Sequence, residues 1–370
     1  GVTTAYLSPD SLNVIAGIGA VAKTAGGRAA DLFADAGSAG RVIVTDAGLR
    51  IVVGVDAYYD NRTPNGQFTD NSHARRPNTR MGSVWEIRNA FYRALAYREA
   101  RKSGAPLDAD LEALLAAVDG KIPVRMLTRR HHDTQTALRL QQEFGWPRLI
   151  LEEATEAYLV RDLLAKAGVP LVLGPASDVR ARAIARGPSI EDLRFWAEPP
   201  AICCEHLHED NPAFAHEQLD EHYGRVKLPP VLQDLFLSAV PRSSLAATGF
   251  AVGRMQEAQG STPALAALLV QSKIPTVIGG GESYEFTDSE ASAIHKARTA
   301  VRWGLPAATA IEMVTSRPAA LLGLGDRVGR LAAGLDADLV LWSGDPLDPA
   351  SSPLLGVVDG QIVIDHRPKN

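Results

Sequence analysis

Cysteine is scarce in this sequence: there are two, Cys203 and Cys204, and they are adjacent. Neighbouring cysteines rarely satisfy the geometry of a disulfide with each other, so a disulfide framework is excluded. No apolar run approaches the roughly 18 residues that a membrane-spanning helix needs. A formal net charge of -5 leaves no excess of basic residues, which makes nucleic acid a poor candidate partner.

The remaining composition is that of an ordinary globular protein. The chain has 370 residues, of which 46% are hydrophobic and 22% are charged. That length is enough for a core the size of a barrel domain together with a smaller unit. Residues 1–7 already have the pattern of a β-strand, so we expect the chain to begin inside a fold.

Three short apolar runs, at 122–127, 148–153 and 169–175, are separated by two amphipathic helical segments. This alternation is typical of βαβ units on a buried parallel sheet. In such folds the chemistry lies where strands end and loops begin. The sequence therefore predicts that residues 127–133, 152–155 and 174–178 are the informative positions.

Outside this stretch, the pattern predicts strands at 3–8, 41–45 and 49–55 and a helix at 81–102. The glycine-rich segment 15–20 lacks the third glycine and the following acid of a dinucleotide-binding loop. We interpret it as a tight loop at a strand end.

The second half of the chain is less regular at first. Residues 176–262 contain mixed polar segments and are predicted to be an insertion or an elaborated barrel segment. Later elements are predicted as helices at 263–271, 288–303 and 306–315 and a strand at 275–278. Asp359 and Gly360 stand between two apolar runs, which is a strong signal for a β-hairpin in a small carboxyl-terminal β unit.

Motifs at both ends carry a family resemblance. The segments 317–324, 334–342 and 344–348 closely resemble the carboxyl end of amidohydrolase-superfamily enzymes. The beginning at residues 1–4 and the central stretch 122–175 are similar to the imidazolonepropionase-like branch of that superfamily.

The resemblance implies an α/β fold. It implies a (β/α)8 TIM-like barrel that lacks its first strand in this chain, with a small β-sandwich unit formed by the carboxyl-terminal strands. The barrel domain would span 1–322, including the 176–262 segment, and the β unit would span 323–370. Members of the superfamily typically hydrolyse C–N bonds, using one or two divalent metals to activate water.

The ligand positions depart from the family pattern. Leu127 and Arg129 stand where relatives place histidines, and Glu153 replaces another histidine. Gly281, followed by Glu282, stands where an aspartate should follow the last strand. Leucine and glycine cannot ligate through their side chains, and an arginine would put a permanent positive charge where the cation should sit.

One further position, where Asp56 lies beside Val55, is a doubtful ligand. The full set of degenerate ligand positions is Asp56, Leu127, Arg129, Glu153, Gly281 and Glu282. Because a catalytic divalent site needs about three protein ligands, these substitutions argue against the metal site of the relatives.

Three other groups of residues could carry chemistry. Cys203, Cys204, His206 and His208 suggest zinc, but their spacing does not form the two separated pairs of usual zinc sites. They are a solvated polar segment in the simpler interpretation, and the best candidates for a replacement metal.

The segment His131-His132-Asp133 could supply a base with its orienting acid. The simpler interpretation is a helix start that Asp133 caps.

Four charged residues, Arg129, Arg130, Glu152 and Glu153, are expected to meet at adjacent strand ends. They could bind an anionic or zwitterionic ligand. The simpler hypothesis is that they pair with one another in place of the metal, because an unpaired buried charge is costly.

The sequence therefore predicts an amidohydrolase-fold protein without cofactor that is catalytically inactive and acts as a structural or regulatory subunit of other chains. The partner would be an active paralogue or a separate chain that supplies the segment before Gly1, for instance after proteolytic nicking of a precursor. The relatives' export signals favour the periplasm over the cytoplasm.

Two alternatives remain open. One is an active C–N hydrolase with a displaced site, holding a divalent metal such as zinc, built from His131, His132, Asp56, Glu153 or Glu282. The other is a small-molecule binding protein that keeps the pocket without catalysis.

Overall fold

The computed structural model describes residues 1–25, 41–58, 76–77, 79–174, 262–279 and 292–368. Gly281, Glu282 and the Cys203 to His208 cluster lie outside the described residues. So does the segment predicted as an insertion, except Thr262.

The described strands form two sheets. They are β1 (Thr4–Leu7), β2 (Ile15–Lys23), β3 (Val42–Val52), β4 (Val124–Leu127), β5 (Leu149–Glu153), β6 (Leu171–Leu173), β7 (Thr276–Ile278), β8 (Leu339–Trp342), β9 (Pro353–Val358) and β10 (Gln361–Asp365). The first seven strands pair in chain order in one sheet, and the last three pair in the order β10-β9-β8 in a small antiparallel sheet.

The large sheet is mixed in direction. Strands β1, β2 and β3 are antiparallel neighbours, whereas β3 to β7 run parallel. The parallel part curls into half of a barrel. The five parallel strands are in register through successive partners, which are Val52, Leu127, Glu152, Val172 and Val277. The carboxyl ends of these strands therefore meet at one edge of the sheet.

Eight helices are described around these sheets. They are α1 (Arg80–Lys102), α2 (Ala109–Val118), α3 (His131–Phe144), α4 (Arg161–Ala167), α5 (Leu265–Gln271), α6 (Ala293–Arg302), α7 (Ala307–Glu312) and α8 (Ser316–Leu321). Together with the parallel strands they confirm the α/β class that the sequence predicts.

The core lies between the helices and the outer face of the parallel sheet. Because side chains alternate along a strand, Val124 and Met126 face the helices while Arg125 between them faces the other way. Phe91 of α1 is fully buried there, with its ring centroid 5.1 Å from that of Phe144 and 4.9 Å from that of Trp146.

Two of the sequence-based predictions are wrong. The glycine-rich segment 15–20 was predicted to be a loop but lies inside β2, and the two candidate strands between 41 and 55 are one strand, β3. Gly19 and Gly48 are partners in the β2–β3 register, and Gly48 has a φ of 150°. The glycines make space for side chains that cross these strands, so they mark close approach rather than a turn.

The predicted carboxyl-terminal hairpin is confirmed. Asp359 and Gly360 link β9 to β10, and both residues have positive φ values, of 48° and 77°. Two positive φ values in a two-residue link are what an Asp-Gly hairpin requires.

Lys23 joins the small sheet to the large one. Its ammonium lies 2.9 Å from Asp336, 2.7 Å from Asp338 and 3.1 Å from Asp359, and its side chain is 2% exposed. Thr4 of β1 also donates to Asp338, at 3.2 Å. The hairpin and the segment before β8 are thus held against β2 by one buried positive charge.

We expect Lys23→Met to lower the free energy of unfolding by about 3 kcal/mol, because it leaves the buried Asp338 carboxylate without its cation. Urea unfolding measures the change. The control is Lys102→Met, which removes an exposed lysine paired only with Glu99 and should cost less than about 1 kcal/mol. Equal losses in the two variants would contradict the role of Lys23 as the link between the sheets.

Candidate functional site at the carboxyl ends of the strands

Three of the sequence-predicted site residues lie together at the carboxyl edge of the parallel sheet. Asp56 lies in the 3-10 turn Val55–Ala57 that follows β3, Arg129 follows β4 by two residues, and Glu153 is the last residue of β5. Chemistry in folds of this kind is located at this edge.

Arg129 binds both carboxylates. Its Nη1 donates to Asp56 Oδ2, and its Nε donates to Glu153 Oε2 at 2.5 Å. The side chains of Arg129 and Asp56 are 4% and 0% exposed. Burial alone would lower the pKa of Arg129, but the charges of Glu153 and Asp56 raise it overall, so the guanidinium stays protonated.

The backbone at the end of β5 is shaped to direct Glu153 to this site. Glu153 and Ala154 have φ values of 64° and 33°, in a backbone region that residues other than glycine rarely adopt. A Cβ on Gly174 would lie 2.6 Å from Cγ of Glu153, so only glycine fits beside it. Backbone strain of this kind persists where the surrounding contacts over-determine the position.

The structure separates the four charges that were expected to meet. Arg129 pairs with Glu153, as the sequence-based hypothesis has it. Glu152 instead faces the inner side of the sheet and binds Arg50 and Arg125. The backbone N–H of Arg130 donates to Asp133 at 3.3 Å, at the start of α3.

The histidine segment next to Arg129 has a partner that the sequence analysis did not name. Nδ1 of His131 lies 2.8 Å from Oε2 of Glu156, which also accepts the backbone N–H of His131 at 3.1 Å. Burial would raise the pKa of Glu156, but these hydrogen bonds lower it overall. The signal in the sequence that could identify Glu156 is its position three residues after the end of β5.

Asp133, the acid that could orient a histidine of this segment, binds Arg80 and the start of α3. It is fully buried and accepts from Nε of Arg80 at 2.8 Å, while Nη1 of Arg80 donates to the Tyr58 hydroxyl at 2.9 Å. Nε2 of His132 lies 3.4 Å from Asp133, and burial lowers the pKa of this histidine. Because Asp133 also accepts the backbone N–H of Arg130, the N-cap residue of α3, it caps the helix start as the simpler interpretation expects.

Lys296 of α6 approaches the same edge from the end of β7. Its Nζ donates to the carbonyl oxygen of Gly279 at 2.9 Å, and the residue is 8% exposed. Burial lowers the pKa of Lys296 to about 8, against the opposing effect of the Glu153 charge. Nothing in the sequence distinguishes this lysine, because it lies within an amphipathic helix.

A cavity of about 30 Å³ opens beside this lysine. Its polar lining comes from Lys296, Thr262 and Thr299, and the rest is apolar or glycine. That volume accommodates a water molecule or an ion of similar size.

The described residues do not fit a divalent metal centre. Among them there is no group of three or more His, Cys, Asp or Glu side chains that could hold a metal ion. Leu127 is buried and has no donor atom. Asp56 and Glu153, the two carboxylates at the strand ends, are bound to Arg129, whose positive charge occupies the place that a cation would need.

Within the part of the chain that the structure describes, we find no helix with the length and apolar character needed to cross a bilayer.

Comparison with known proteins gives a consistent picture of the relatives. Residues 289–364 match the model of the family described as "Amidohydrolase family". The chain is 25% identical over 389 residues to the amidohydrolase tasK of Hapsidospora irregularis, and the match covers 99% of this chain and 31% of that protein. The chain thus spans about a third of the length of this curated relative.

A solved structure shares the fold. The crystal structure of an amidohydrolase from Thermotoga maritima MSB8 superposes with a TM-score of 0.65 and 24% sequence identity. The match covers 99% of this chain and 72% of that one.

We expect Arg129→Met to destabilise the chain by about 3–5 kcal/mol, because it leaves Asp56 and Glu153 close together without their counter-charge. Chemical unfolding measures the loss. Arg317→Met is the control, since Arg317 pairs with Glu312 at the surface and its loss should cost no more than about 1 kcal/mol. An Arg129 variant as stable as the control would contradict the pairing hypothesis.

Lys296→Met should change stability in a pH-dependent way. Below about pH 8 the lysine is protonated in both states, so its burial penalty is fully present; between about 8 and its ordinary value of 10.5 only the unfolded chain holds the proton. The stability of the unchanged protein should therefore rise relative to the variant across this window.

Urea unfolding of both proteins at a series of pH values measures that difference. Lys166→Met, at an exposed position of α4, is the matched control. A difference between Lys296→Met and the unchanged protein that stays constant from pH 7 to 10.5 would show that Lys296 is not a buried titrating group.

Proposed function

We propose that this chain is a member of the amidohydrolase superfamily in which an ion-pair network replaces the metal centre. In this proposal it does not hydrolyse C–N bonds. It acts as a structural or regulatory subunit of an assembly with other chains, and it needs no metal cofactor.

The observation that carries the proposal is the position of Arg129. A hydrolytic metal in this superfamily would need carboxylate or imidazole ligands at the strand ends, and Arg129 binds the two carboxylates found there. To load a metal, the chain would have to move a guanidinium that is 4% exposed and break both of these ion pairs. Breaking a buried pair is strongly unfavourable, by about 3–5 kcal/mol.

Leu127, two residues before Arg129, also argues against a metal centre. It lies at the end of β4, in register with Glu152, and is fully buried. An aliphatic side chain there stabilises the sheet by burial but offers no donor atom. The residues at positions 127 and 129, at the end of one strand, therefore stabilise the fold and are unsuited to binding a metal.

Association with other chains is supported by the outer face of α1. Met81 and Trp85, one helical turn apart, are 81% and 58% exposed. Residues four apart lie on the same face of a helix. An aromatic and a methionine side chain exposed together are of the types enriched at protein interfaces.

A second candidate function has one observation in its favour, the pair of His131 and Glu156. A carboxylate on Nδ1 fixes the tautomer of an imidazole, which then can act as a general base. The His131 side chain is 43% exposed, so a solute can reach it. This pair would be part of a displaced site in a chain that still hydrolyses C–N bonds.

Metal content and hydrolysis measured on the same native preparation separate the two functions. We expect less than a tenth of an equivalent of zinc, iron, manganese or nickel, and no hydrolysis of a panel of cyclic amides, imidazolones and dipeptides. Near-stoichiometric metal together with hydrolysis that a chelator abolishes would overturn the proposal.

The variant His131→Asn identifies the second candidate. If the native protein hydrolyses a substrate and His131→Asn loses that activity while its unfolding curve is unchanged, the displaced site is correct. His132→Asn is the matched control, because among the described residues the ring of His132 contacts Asp133 and not Glu156.

A further inference from the structure

A second buried charge cluster lies on the inner face of the sheet, separate from the strand-end site. Arg50 of β3, Arg125 of β4 and Glu152 of β5 are 4%, 3% and 5% exposed. Nη1 of Arg50 donates to Glu152 Oε2, and Nε of Arg125 donates to Glu152 Oε1 at 2.6 Å. Among the described residues, two guanidinium groups thus share one carboxylate, which leaves one positive charge in excess.

Both arginines also retain buried donors without acceptors. Among the described residues, Nε of Arg50 and Nη1 of Arg125 have no hydrogen-bond partner, although both atoms are shielded from solvent. A buried donor left unsatisfied costs about 1–3 kcal/mol, and more when the group is charged. An excess charge and two unmet donors on the same pair of side chains call for an acceptor that carries negative charge.

Tyr6 does not supply that charge. Its ring lies under Arg125, with the guanidinium carbon 3.8 Å from the ring centroid. Burial, followed by the charge of Glu152, raises the pKa of Tyr6 to about 12, so the phenol stays neutral at physiological pH. The ring covers one face of the guanidinium by a cation–π contact and leaves the N–H groups on its edge available.

Two glycines hold this arrangement in place. A Cβ on Gly48 would lie 2.5 Å from Cδ of Arg125, and a Cβ on Gly19 would overlap the Tyr6 ring. These glycines are register partners on β2 and β3. The backbone is therefore built to let Arg125 and Tyr6 cross the sheet, which indicates a formed site rather than a chance contact.

We propose that Arg50 and Arg125 bind a small monovalent anion, a halide or a short carboxylate, on the inner face of the sheet. The anion accepts hydrogen bonds from the two unsatisfied donors and neutralises the positive charge that Glu152 does not balance. A water molecule would satisfy the donors but not the charge. The inference concerns residues outside the strand-end site and does not depend on the proposed function.

Bromide is the first probe. In a crystal of the unchanged protein grown or soaked in sodium bromide, anomalous scattering should place one bromide in contact with Nε of Arg50 and Nη1 of Arg125. Water at that position, or no density at all, in crystals soaked in sodium bromide and in crystals soaked in sodium formate would overturn the proposal. This measurement needs no variant, so it stands even if a substituted chain fails to fold.

Thermal unfolding tests binding in solution and distinguishes the two anion types. Sodium bromide and sodium formate are compared at equal ionic strength with sodium gluconate, whose much larger anion controls for ionic strength alone. We expect the melting temperature to rise with bromide or formate and to saturate as for a single site. A melting temperature that rises with formate alone identifies the ligand as a carboxylate. A melting temperature that rises with bromide identifies a halide site.

Variants localise the effect. Arg125→Met removes the excess charge and should abolish the salt-specific shift, whereas Arg88→Met, which removes an exposed arginine paired with Glu143, should retain it. Identical curves in all three salts would contradict the proposal. So would a bromide peak in the crystal without any salt-specific shift in solution, since that is binding at crystal concentration only.

Discussion

The arrangement of the barrel edge depends on one guanidinium bound by two carboxylates from different strand ends. Arg129 follows β4, while Asp56 follows β3 and Glu153 ends β5, so the ion pairs connect three neighbouring strands at their carboxyl ends. Each of these charges would be costly if it were buried alone. The left-handed backbone at Glu153 and the absence of a side chain at Gly174 follow from the same requirement, because both are needed to bring this carboxylate to Arg129.

Two other clusters also place buried charged side chains beside opposite charges, but each cluster leaves a net charge. Lys23 lies among three aspartates, so the excess at the joint between the sheets is negative, and part of it faces solvent through Asp359. Arg50 and Arg125 share Glu152, so the excess on the inner face is positive and enclosed. An exposed excess is screened by water and salt, whereas an enclosed one has to be met by another group. This contrast is why the arginine pair, and not the lysine cluster, indicates a ligand.

The chain also illustrates how fold and chemistry separate. The carboxyl-terminal motifs, the parallel strands and the superposition on the Thermotoga maritima amidohydrolase all concern how the chain packs. None of them requires a particular residue at the strand ends. A scaffold of this kind retains its architecture when a polar site is rebuilt, provided that the new residues satisfy one another. In this chain Leu127 is buried and Arg129 is paired with two carboxylates, so both residues are compatible with the packed fold.

Local periodicity and residue identity are enough to predict several features of this chain. These include the apolar strands β4 to β7, the helix α1 and the Asp359-Gly360 hairpin. Which charges meet depends on the tertiary fold. Glu152 and Glu153 are adjacent but bind different arginines, and Arg50 binds a carboxylate 102 residues away. The segment 15–20 is a strand because it pairs with β1 and β3. The physical reason is that periodicity reports whether a side chain is buried, while its partner is set by strand register and backbone turns that distant contacts impose.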